Sequence, residues 1–304
     1  MLVSDDDAGQ HDDTGTMLLN VEASPLVHQA REAATRAARV AGVRIEDETG
    51  MDRLRDIAAL LISVWGTSQE AAPIPADLLR SISHAGCNVT AAYGSDGILC
   101  GAAVAIVAPE NSSTYSLIAG VLPGIVDAGV GFALKLHQRA WALERGFETM
   151  TWTFDPLVSR NARFNLTKLG AYAAEYVEDF YGLMEDEINV NDESDRLVAV
   201  WPLTSSRVVD CSEGYPEIIE LPDLPADAVR GTGPDGHPML VQQGGSLWCR
   251  VPTDILALRT GSPPLAAEWR IRVREVFADA FAAGRIADGV TRTGWYRLTA
   301  GGRA

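Results

Sequence analysis

The fold of this chain is decided by the stretch Val121-Leu-Pro-Gly-Ile-Val-Asp-Ala-Gly-Val-Gly-Phe-Ala-Leu-Lys-Leu-His-Gln-Arg-Ala-Trp-Ala-Leu-Glu-Arg-Gly146. An apolar, β-favouring run over residues 114–121 leads into it, and apolar side chains then recur at helical spacing from Phe132 through Leu136 to Ala140. The pattern predicts a strand, a glycine-containing turn and a helix in direct succession.

Gly129 and Gly131 stand at the start of the predicted helix. Because these positions carry no side chains, the free backbone N–H groups of the first turn can approach a ligand, and the helix dipole favours an anion there. The turn therefore suits a pyrophosphate group. The same glycines also suit a helix that simply packs closely on a sheet, so the local sequence leaves both interpretations open.

The composition limits the classes of protein to which the chain can belong. With 304 residues, of which 47% are hydrophobic, it is long enough for one large or two small packed domains. A net charge of −16 disfavours nucleic acid and anionic membrane surfaces as partners. No apolar run approaches the about 20 residues of a membrane span. We therefore expect no nucleic acid and no membrane as partners.

Residues 1–23 are acidic and lack the basic and apolar segments of a signal peptide. They are predicted to form a disordered tip on a cytoplasmic protein. The 4 cysteines show no metal-binding spacing, and the histidines are scattered, so we expect reduced thiols and no metal site.

The remaining sequence predicts helices and strands in two parts. In residues 24–204, helices are predicted over 24–41, 51–65, 76–84 and 158–171, and strands over 43–48, 88–93, 98–107, 113–121, 148–154 and 197–201. In residues 205–304, strands are predicted over 217–221, 238–242 and 247–252, a helix over 263–283, and a strand or hairpin over 290–298. This extension would complete a pocket or form a contact in a homodimer.

The order of these features resembles the core of the GNAT superfamily of acyl-CoA-dependent N-acyltransferases. The resemblance rests on Gly129 and Gly131 after a strand, on the next strand over 148–154, and on an Asn-containing helix that ends at Lys168-Leu-Gly170. It covers residues 43–201 well and the C-terminal third more loosely. It implies an α/β (α+β) fold with a mixed, mostly antiparallel sheet flanked by helices and a smaller C-terminal α+β extension.

Three further motifs resemble a subfamily of long bacterial GNAT proteins, some members of which are linked with N-acylated amino acid metabolism. The motifs are Trp152-Thr-Phe-Asp-Pro-Leu157, Asp179-Phe-Tyr-Gly182 and Asp192-Glu-Ser-Asp-Arg196. The resemblance implies acetyl-CoA or another acyl-CoA as cosubstrate, without a metal, and a small amine as the second substrate.

The resemblance also implies which residues hold the coenzyme. In the family, backbone amides of the glycine loop bind the pyrophosphate, and an Asn of the later helix touches the coenzyme. The corresponding residues here are Val121, Leu122, Gly124, Val126, Asp127, Ala128, Gly129, Val130, Gly131 and Asn161. Three positions depart from the family pattern: Val126 replaces an Arg or Gln, Asp127 adds a negative charge, and Leu166 stands where a Tyr acid is usual.

Acyl transfer from a thioester to an amine needs a base for the amine, polarisation of the carbonyl and stabilisation of the departing thiolate. The candidate bases are Glu48, Asp155, Glu193 and Asp195. Each of them is otherwise a solvated carboxylate or a helix cap. The candidate acids are Tyr181 and Tyr115, and the N–H of Leu122 or Gly124 would polarise the carbonyl.

Two functions fit these features. The first is an acyl-CoA-dependent N-acyltransferase that acts on a small amine, such as an amino acid or a natural-product precursor. The second is a catalytically altered GNAT-fold protein that binds a ligand, serves as an assembly module or performs other acyl-thioester chemistry. The two glycines and Asn161 favour the first function, whereas Val126, Asp127 and Leu166 favour the second.

The charge at Asp127 gives a direct test of the coenzyme site. Asp127→Arg replaces a negative charge beside the expected phosphates by a positive one, so coenzyme A should bind about tenfold more tightly in calorimetry at low salt. Asp127→Asn, which only removes the charge, should give a smaller gain. Weaker binding of the Arg variant would mean that Asp127 holds the loop or contacts the ligand favourably.

Overall fold

The computed structural model describes residues 24–68, 71–108, 113–125, 128–182, 192–223 and 225–301. The helices are α1 (Pro25–Val40), α2 (Met51–Trp65), α3 (Ala76–His84), α4 (Val130–Glu144), α5 (Ser159–Ala162), α6 (Ser206–Ser212), α7 (Ile255–Gly261) and α8 (Pro263–Ala282). A π-helical turn, Arg163–Lys168, continues α5, and Ala226–Ala228 forms a 3₁₀ turn.

The strands are β1 (Val43–Asp47), β2 (Asn88–Gly94), β3 (Leu99–Ala108), β4 (Ser113–Val121), β5 (Thr149–Phe154), β6 (Tyr172–Val177), β7 (Arg196–Pro202), β8 (Val229–Thr232), β9 (Pro238–Gln243), β10 (Ser246–Arg250), β11 (Arg285–Val290) and β12 (Trp295–Ala300). They form one 12-stranded sheet in the order β1-β2-β3-β4-β5-β7-β6-β11-β12-β10-β9-β8. Each neighbouring pair is antiparallel except β4 and β5, which run parallel. This exception follows from the connection, because the chain crosses from β4 to β5 through α4.

Helices cover both faces of the first half of the sheet. Val104 of β3 packs in one cluster with Leu54 and Leu61 of α2, whereas the adjacent Ala103 packs with Leu134 of α4. Since successive side chains of a strand point to opposite faces, α2 and α4 lie on opposite sides. Helix α1 lies on the outer side of α4, so α4 is buried between α1 and the sheet.

The C-terminal strands continue the same sheet, and α8 packs against β6 and β11. The core at this point contains Phe277 of α8, whose ring meets that of Tyr296 edge-on at a centroid distance of 5.0 Å. The Tyr296 hydroxyl donates a hydrogen bond of 2.7 Å to the carbonyl of Pro156, directly after β5. The extension is therefore packed against the first part of the chain.

Two aspartates and two arginines form a buried ion-pair cluster that joins the extension to the first part. Arg270 of α8 donates to Asp155, which follows β5, at 2.9 Å and to Asp192, which precedes β7, at 2.6 Å. Arg259 of α7 contacts the same two carboxylates at 2.5 and 2.7 Å. Burial alone would raise the pKa of Asp155, but Arg270 and Arg259 hold that pKa well below its usual range. Asp155 therefore stays ionised.

Most of the predicted architecture is confirmed. The sheet is mixed and mostly antiparallel and is flanked by helices, as the α/β (α+β) prediction states. The strand predicted over 217–221 is wrong, because these residues form an irregular segment in which only the side chain of Ile219 packs into a core cluster. Helices α6 and α7 were not predicted. The division of the chain at residue 204 stays a prediction, since both parts contribute to one sheet.

The predicted disordered tip, residues 1–23, lies outside the described residues, as do Val126 and Asp127. Among the residues that the structure does describe, the helices are all too short or too polar to cross a lipid bilayer.

The ion-pair cluster predicts an unequal effect of two arginine substitutions on stability. Arg270→Met leaves buried carboxylates with one guanidinium in place of two, so the free energy of unfolding should fall by about 3–5 kcal/mol. Arg55→Ala removes an exposed pair with Asp52 and should cost less than about 0.5 kcal/mol. Urea unfolding of both variants measures the difference, and a loss below about 1 kcal/mol for Arg270→Met would contradict the assignment. Because the pKa of Asp155 is lowered, its contribution to stability is complete above the ordinary pKa of an aspartate, declines as the pH falls below that value, and is lost once the pH has fallen through the folded-state pKa.

Candidate functional site

Strands β4 and β5 separate shortly after they begin to pair. They are joined only at Thr114 with Met150 and at Tyr115 with Thr151. Beyond this point β4 continues beside β3 to Val121, and β5 continues beside β7 to Phe154. We call the gap between the two strands beyond Tyr115 and Thr151 the fork. It leaves the facing backbone groups of β4 without a strand partner, so they are open to a ligand.

A bulge in β4 lies beside the start of the fork. Opposite β3, Ser116 pairs with Ala105 and Ile118 pairs with Val104, so Leu117 is an extra residue in β4. Bulges re-aim side chains and backbone groups and are common next to functional sites. Leu117 is 37% exposed, and Ala119 is also exposed, so the β4 side of the fork is open to solvent.

The N-terminus of α4 lies at the mouth of the fork. Gly129 precedes the helix in a left-handed conformation with φ 88° and provides no side-chain cap. A Cβ built on Gly131 would meet Val121 at 3.7 Å, an ordinary contact, so the first turn has room for a small group beside Val121. The first-turn N–H groups have no intrahelical acceptors and carry the positive end of the helix dipole. They therefore form a suitable receptor for a phosphate.

Lys168 supplies positive charge to this region, a role that the sequence analysis missed. Its ammonium lies 4.9 Å from the centroid of the Phe132 ring, in the first turn of α4. The predicted loop contains Val126 where the family has Arg or Gln, and Lys168 brings a positive charge beside the first turn of α4. The signal in the sequence was the predicted helix ending at Lys168, but only the packing of that helix beside α4 shows the proximity.

The other coenzyme-site candidates occupy distinct positions. Asn161 is exposed on α5 and free to meet a ligand, whereas Leu166 is fully buried in the core and supplies no acid. The N–H of Leu122 donates to the carbonyl of Cys100 at 3.0 Å, so it is already used within the sheet. Gly124, with φ 92°, lies in the turn after β4. The predicted role of Gly124 in polarising a carbonyl stays a prediction.

A group of hydroxyls lies on the sheet face opposite α4. Thr153 points away from α4, because it alternates along β5 with Trp152, and its Oγ1 lies 3.2 Å from the hydroxyl of Tyr181. Burial raises the pKa of the Tyr115 phenol, and Tyr181 raises it further, so Tyr115 stays protonated. The guanidinium of Arg196 lies 5.2 Å from the Tyr181 ring. We call Tyr115, Thr153 and Tyr181 the tyrosine face.

The four candidate bases do not converge on this face. Asp155 belongs to the ion-pair cluster, and its lowered pKa makes it a weak base. Asp195 is buried and accepts from Tyr176 at 2.6 Å and from Arg274 at 2.9 Å. Glu193 is an exposed partner of the same arginine. Glu48 accepts from Tyr93 at 2.6 Å near β1, three strands from β4. Their assignment as bases stays a prediction.

A charged groove of about 640 Å³ lies elsewhere, between α1, β1 and the outer side of α4. At its edges Arg31 pairs with Glu144 at 2.5 Å, and His137 lies 2.9 Å from Asp47. Helix α4 separates this groove from the fork, so the groove is not part of the candidate site.

The order of elements around the fork decides the family of folds. An antiparallel run from β1 to β4 leads through a glycine-capped helix to a parallel strand that separates from β4, and a helix carrying Asn161 follows. This is the arrangement that the resemblance to the GNAT superfamily implies. It covers the chain from β1 to β7, and the strands from β8 to β12 extend its sheet.

Comparison with solved structures finds GNAT proteins over about half of the chain. An acetyltransferase of the GNAT family from Desulfovibrio desulfuricans is 15% identical, with 53% of this chain and 99% of that chain covered and a TM-score of 0.44. An N-acetyltransferase from Staphylococcus aureus is 14% identical, with 53% and 99% covered and a TM-score of 0.44. A phosphinothricin acetyltransferase from Sinorhizobium meliloti, solved with AcCoA, is 16% identical, with 53% and 88% covered and a TM-score of 0.44.

Neither a protein-family model nor a curated protein sequence matches this chain. The structural likenesses, at such low identity, establish nothing about its activity.

The open helix N-terminus predicts opposite outcomes for two substitutions of one glycine. Gly131→Glu places a carboxylate among the free amides and should weaken coenzyme A binding at least about a hundredfold, or about 2.7 kcal/mol. Gly131→Ala adds only a Cβ at ordinary contact distance and should leave binding within about threefold. Titration calorimetry on the two proteins checks this, and unchanged binding by the Glu variant would refute the site.

Proposed function

We propose that this protein is an acyl-CoA-dependent N-acyltransferase that transfers an acyl group from a thioester to a small amine. The observation that carries the proposal is the fork with a glycine-capped helix at its mouth. A helix N-terminus that binds the pyrophosphate and a gap between strands that admits an extended arm are together suited to coenzyme A. Lys168 would complement the phosphate charge, and Asn161 would contact the coenzyme beside it.

The thioester would lie in the fork, where backbone N–H groups of β4 have no strand partner. Such groups can stabilise the negative charge that develops on the thioester oxygen during attack. These donors would lie on β4 itself, beside the bulge at Leu117. They would polarise the carbonyl in place of the N–H of Leu122, which donates to the carbonyl of Cys100.

The amine would approach from the tyrosine face. Tyr115, whose pKa is raised by burial, and Tyr181 carry phenol hydroxyls beside the fork, so either can donate a proton to the departing thiolate in place of the missing tyrosine at Leu166. The acceptor that we propose is a small amine, such as an amino acid or a natural-product precursor.

A second candidate function is binding of an acyl-thioester without efficient transfer. The observation that favours it is the complete burial of Leu166, which removes the acid expected from that helix. The two functions share coenzyme binding and differ in turnover, so they are separable in one experiment.

The experiment is titration calorimetry with coenzyme A and acetyl-CoA, followed by a thiol-release assay with amino acids as acceptors. Transfer predicts micromolar binding and acceptor-dependent release of thiol. Binding without acceptor-dependent release would support the second function, and no binding at millimolar ligand would refute both.

The tyrosine face predicts which variants lose turnover. Tyr115→Phe and Tyr181→Phe should each lower kcat about tenfold to a hundredfold while the affinity for acetyl-CoA stays within about twofold, because they remove a proton donor and no coenzyme contact. Tyr215→Phe is the matched control, since Tyr215 is 76% exposed after α6 and should retain full activity. Full activity of both test variants would exclude the tyrosine face from the chemistry.

A further inference from the structure

A lysine is buried beneath the start of the fork. Lys135 of α4 is 4% exposed, and its Nζ donates a hydrogen bond of 2.7 Å to Oγ of Ser116, the first β4 residue beyond the last β4–β5 pair. The same Nζ lies 3.7 Å from the centroid of the Trp152 ring on β5. Ser116 in turn donates to Oε1 of Gln138 at 2.9 Å. We call these four residues the lysine cluster.

The charge of Lys135 has no counter-charge. Among the described residues no carboxylate lies within ion-pair distance of its Nζ. The charged neighbours of Lys135 on α4 point to other partners. His137 lies within hydrogen-bond distance of Asp47, and Arg139 donates to the carbonyl of Leu203. Burial without a partner lowers the pKa of Lys135 to about 7. A substantial fraction of the side chain is therefore a neutral amine at neutral pH, which is the nucleophilic form.

The choice of lysine at this position is unusual for this chain, which contains 23 arginines and two lysines. Wherever the described structure buries a cation in an ion pair, as at Arg259 and Arg270, the residue is arginine. Arginine keeps its proton in proteins, whereas a buried lysine can lose it and react. A lysine at a site without a carboxylate is thus suited to chemistry rather than to pairing.

The lysine cluster also contains an unused donor. Nε2 of Gln138 is buried without a hydrogen-bond partner in the part of the chain that the structure describes, and Gln138 is 0% exposed. An unpaired buried donor is costly, so a group that brings an oxygen to it is stabilised there. The lysine cluster therefore lacks one hydrogen-bond acceptor, and it carries an uncompensated positive charge whenever Lys135 is protonated.

The lysine cluster lies on the path from the phosphate site into the fork. Gly131, Lys135 and Gln138 follow one another at i, i+4 and i+7 and so occupy one stripe of α4. The stripe runs about 10 Å from the helix start toward Ser116 at the base of the fork. Leu117 and Ala119 leave the β4 side of this path open.

We propose that Lys135 is an acyl-acceptor site of this protein, which a bound acyl-CoA thioester modifies. This inference rests on the proposed function, because the thioester reaches the amine only when the coenzyme occupies the fork. The neutral amine of Lys135 attacks the thioester carbonyl, a C–N bond forms and the C–S bond breaks. Coenzyme A leaves as the thiol and takes up the proton that the amine loses.

The product amide removes both unfavourable features of the lysine cluster, the uncompensated charge and the missing hydrogen-bond acceptor. It removes the uncompensated charge of Lys135, and its carbonyl oxygen provides the acceptor that Nε2 of Gln138 lacks. Its N–H retains Ser116 as a partner. The acylated protein should therefore resist thermal unfolding better than the unmodified one.

The test is incubation of the full chain with acetyl-CoA at pH 8, followed by peptide mass spectrometry. We expect one acetyl group, on Lys135, with Lys168 as the internal control that stays unmodified on the same timescale. At pH 6 the reaction should be about tenfold slower than at pH 8, because a smaller fraction of an amine with a pKa of about 7 is neutral. Gly131→Glu should abolish the modification, and Gly131→Ala should retain it.

The outcomes separate this inference from the proposed function. If calorimetry detects acetyl-CoA binding but Lys135 stays unmodified, the inference fails and the proposed function stands. Equal labelling of Lys135 and Lys168, unaffected by Gly131→Glu, would show solution chemistry and would also overturn it. If acetyl-CoA does not bind, the proposed function fails and the inference falls with it. A higher melting temperature of Lys135→Gln, which mimics the amide, would support the conclusion that the charge of Lys135 and the unpaired Nε2 of Gln138 destabilise the unmodified protein.

Discussion

The separation of β4 from β5 is the constraint on which the rest of the candidate site depends. Two residue pairs hold these strands together, and beyond them the sheet loses the hydrogen bonds that a closed ladder would make. The bulge at Leu117, the open N-terminus of α4 and the polar residues beneath the fork are all arranged around this gap. A sheet built only for stability would close the gap with paired strands and apolar side chains.

Buried charged side chains occur in two different settings along β5, one at its end and one at its middle. At the end of this strand, Arg259 and Arg270 neutralise two buried aspartates. Their planar guanidinium groups always carry a charge and match the geometry of a carboxylate. At its middle, Trp152 covers a lysine that has no such partner. The first arrangement fixes the position of the strand, and the second leaves a titratable group beside the place where a ligand would react. Of the carboxylates that the sequence offers as bases, Asp155 belongs to the first arrangement, whereas Glu193 and Asp195 pair with Arg274.

Short-range patterns predicted the first part of the fold well, because periodicity and turn residues report directly on local backbone structure. They could not reveal partners far along the chain. The acidic run before β7 looks like a solvated loop, yet Asp192 is buried against Arg270, 78 residues later. Lys135 and Gln138 likewise look like the solvent face of a helix. They are buried because they face the sheet, where Lys135 contacts Ser116 and Trp152 and Gln138 contacts Ser116, an arrangement that no local pattern encodes.

The ion-pair cluster has a consequence for the order in which the chain folds during synthesis. Asp155 directly follows β5, but its partner Arg270 lies 115 residues further along the chain. Domains usually fold from the N-terminus as the ribosome releases them. Here the strand end must wait, with a hydrated carboxylate, until α7 and α8 have emerged. The first part of the sheet is thus incomplete until the extension has been made.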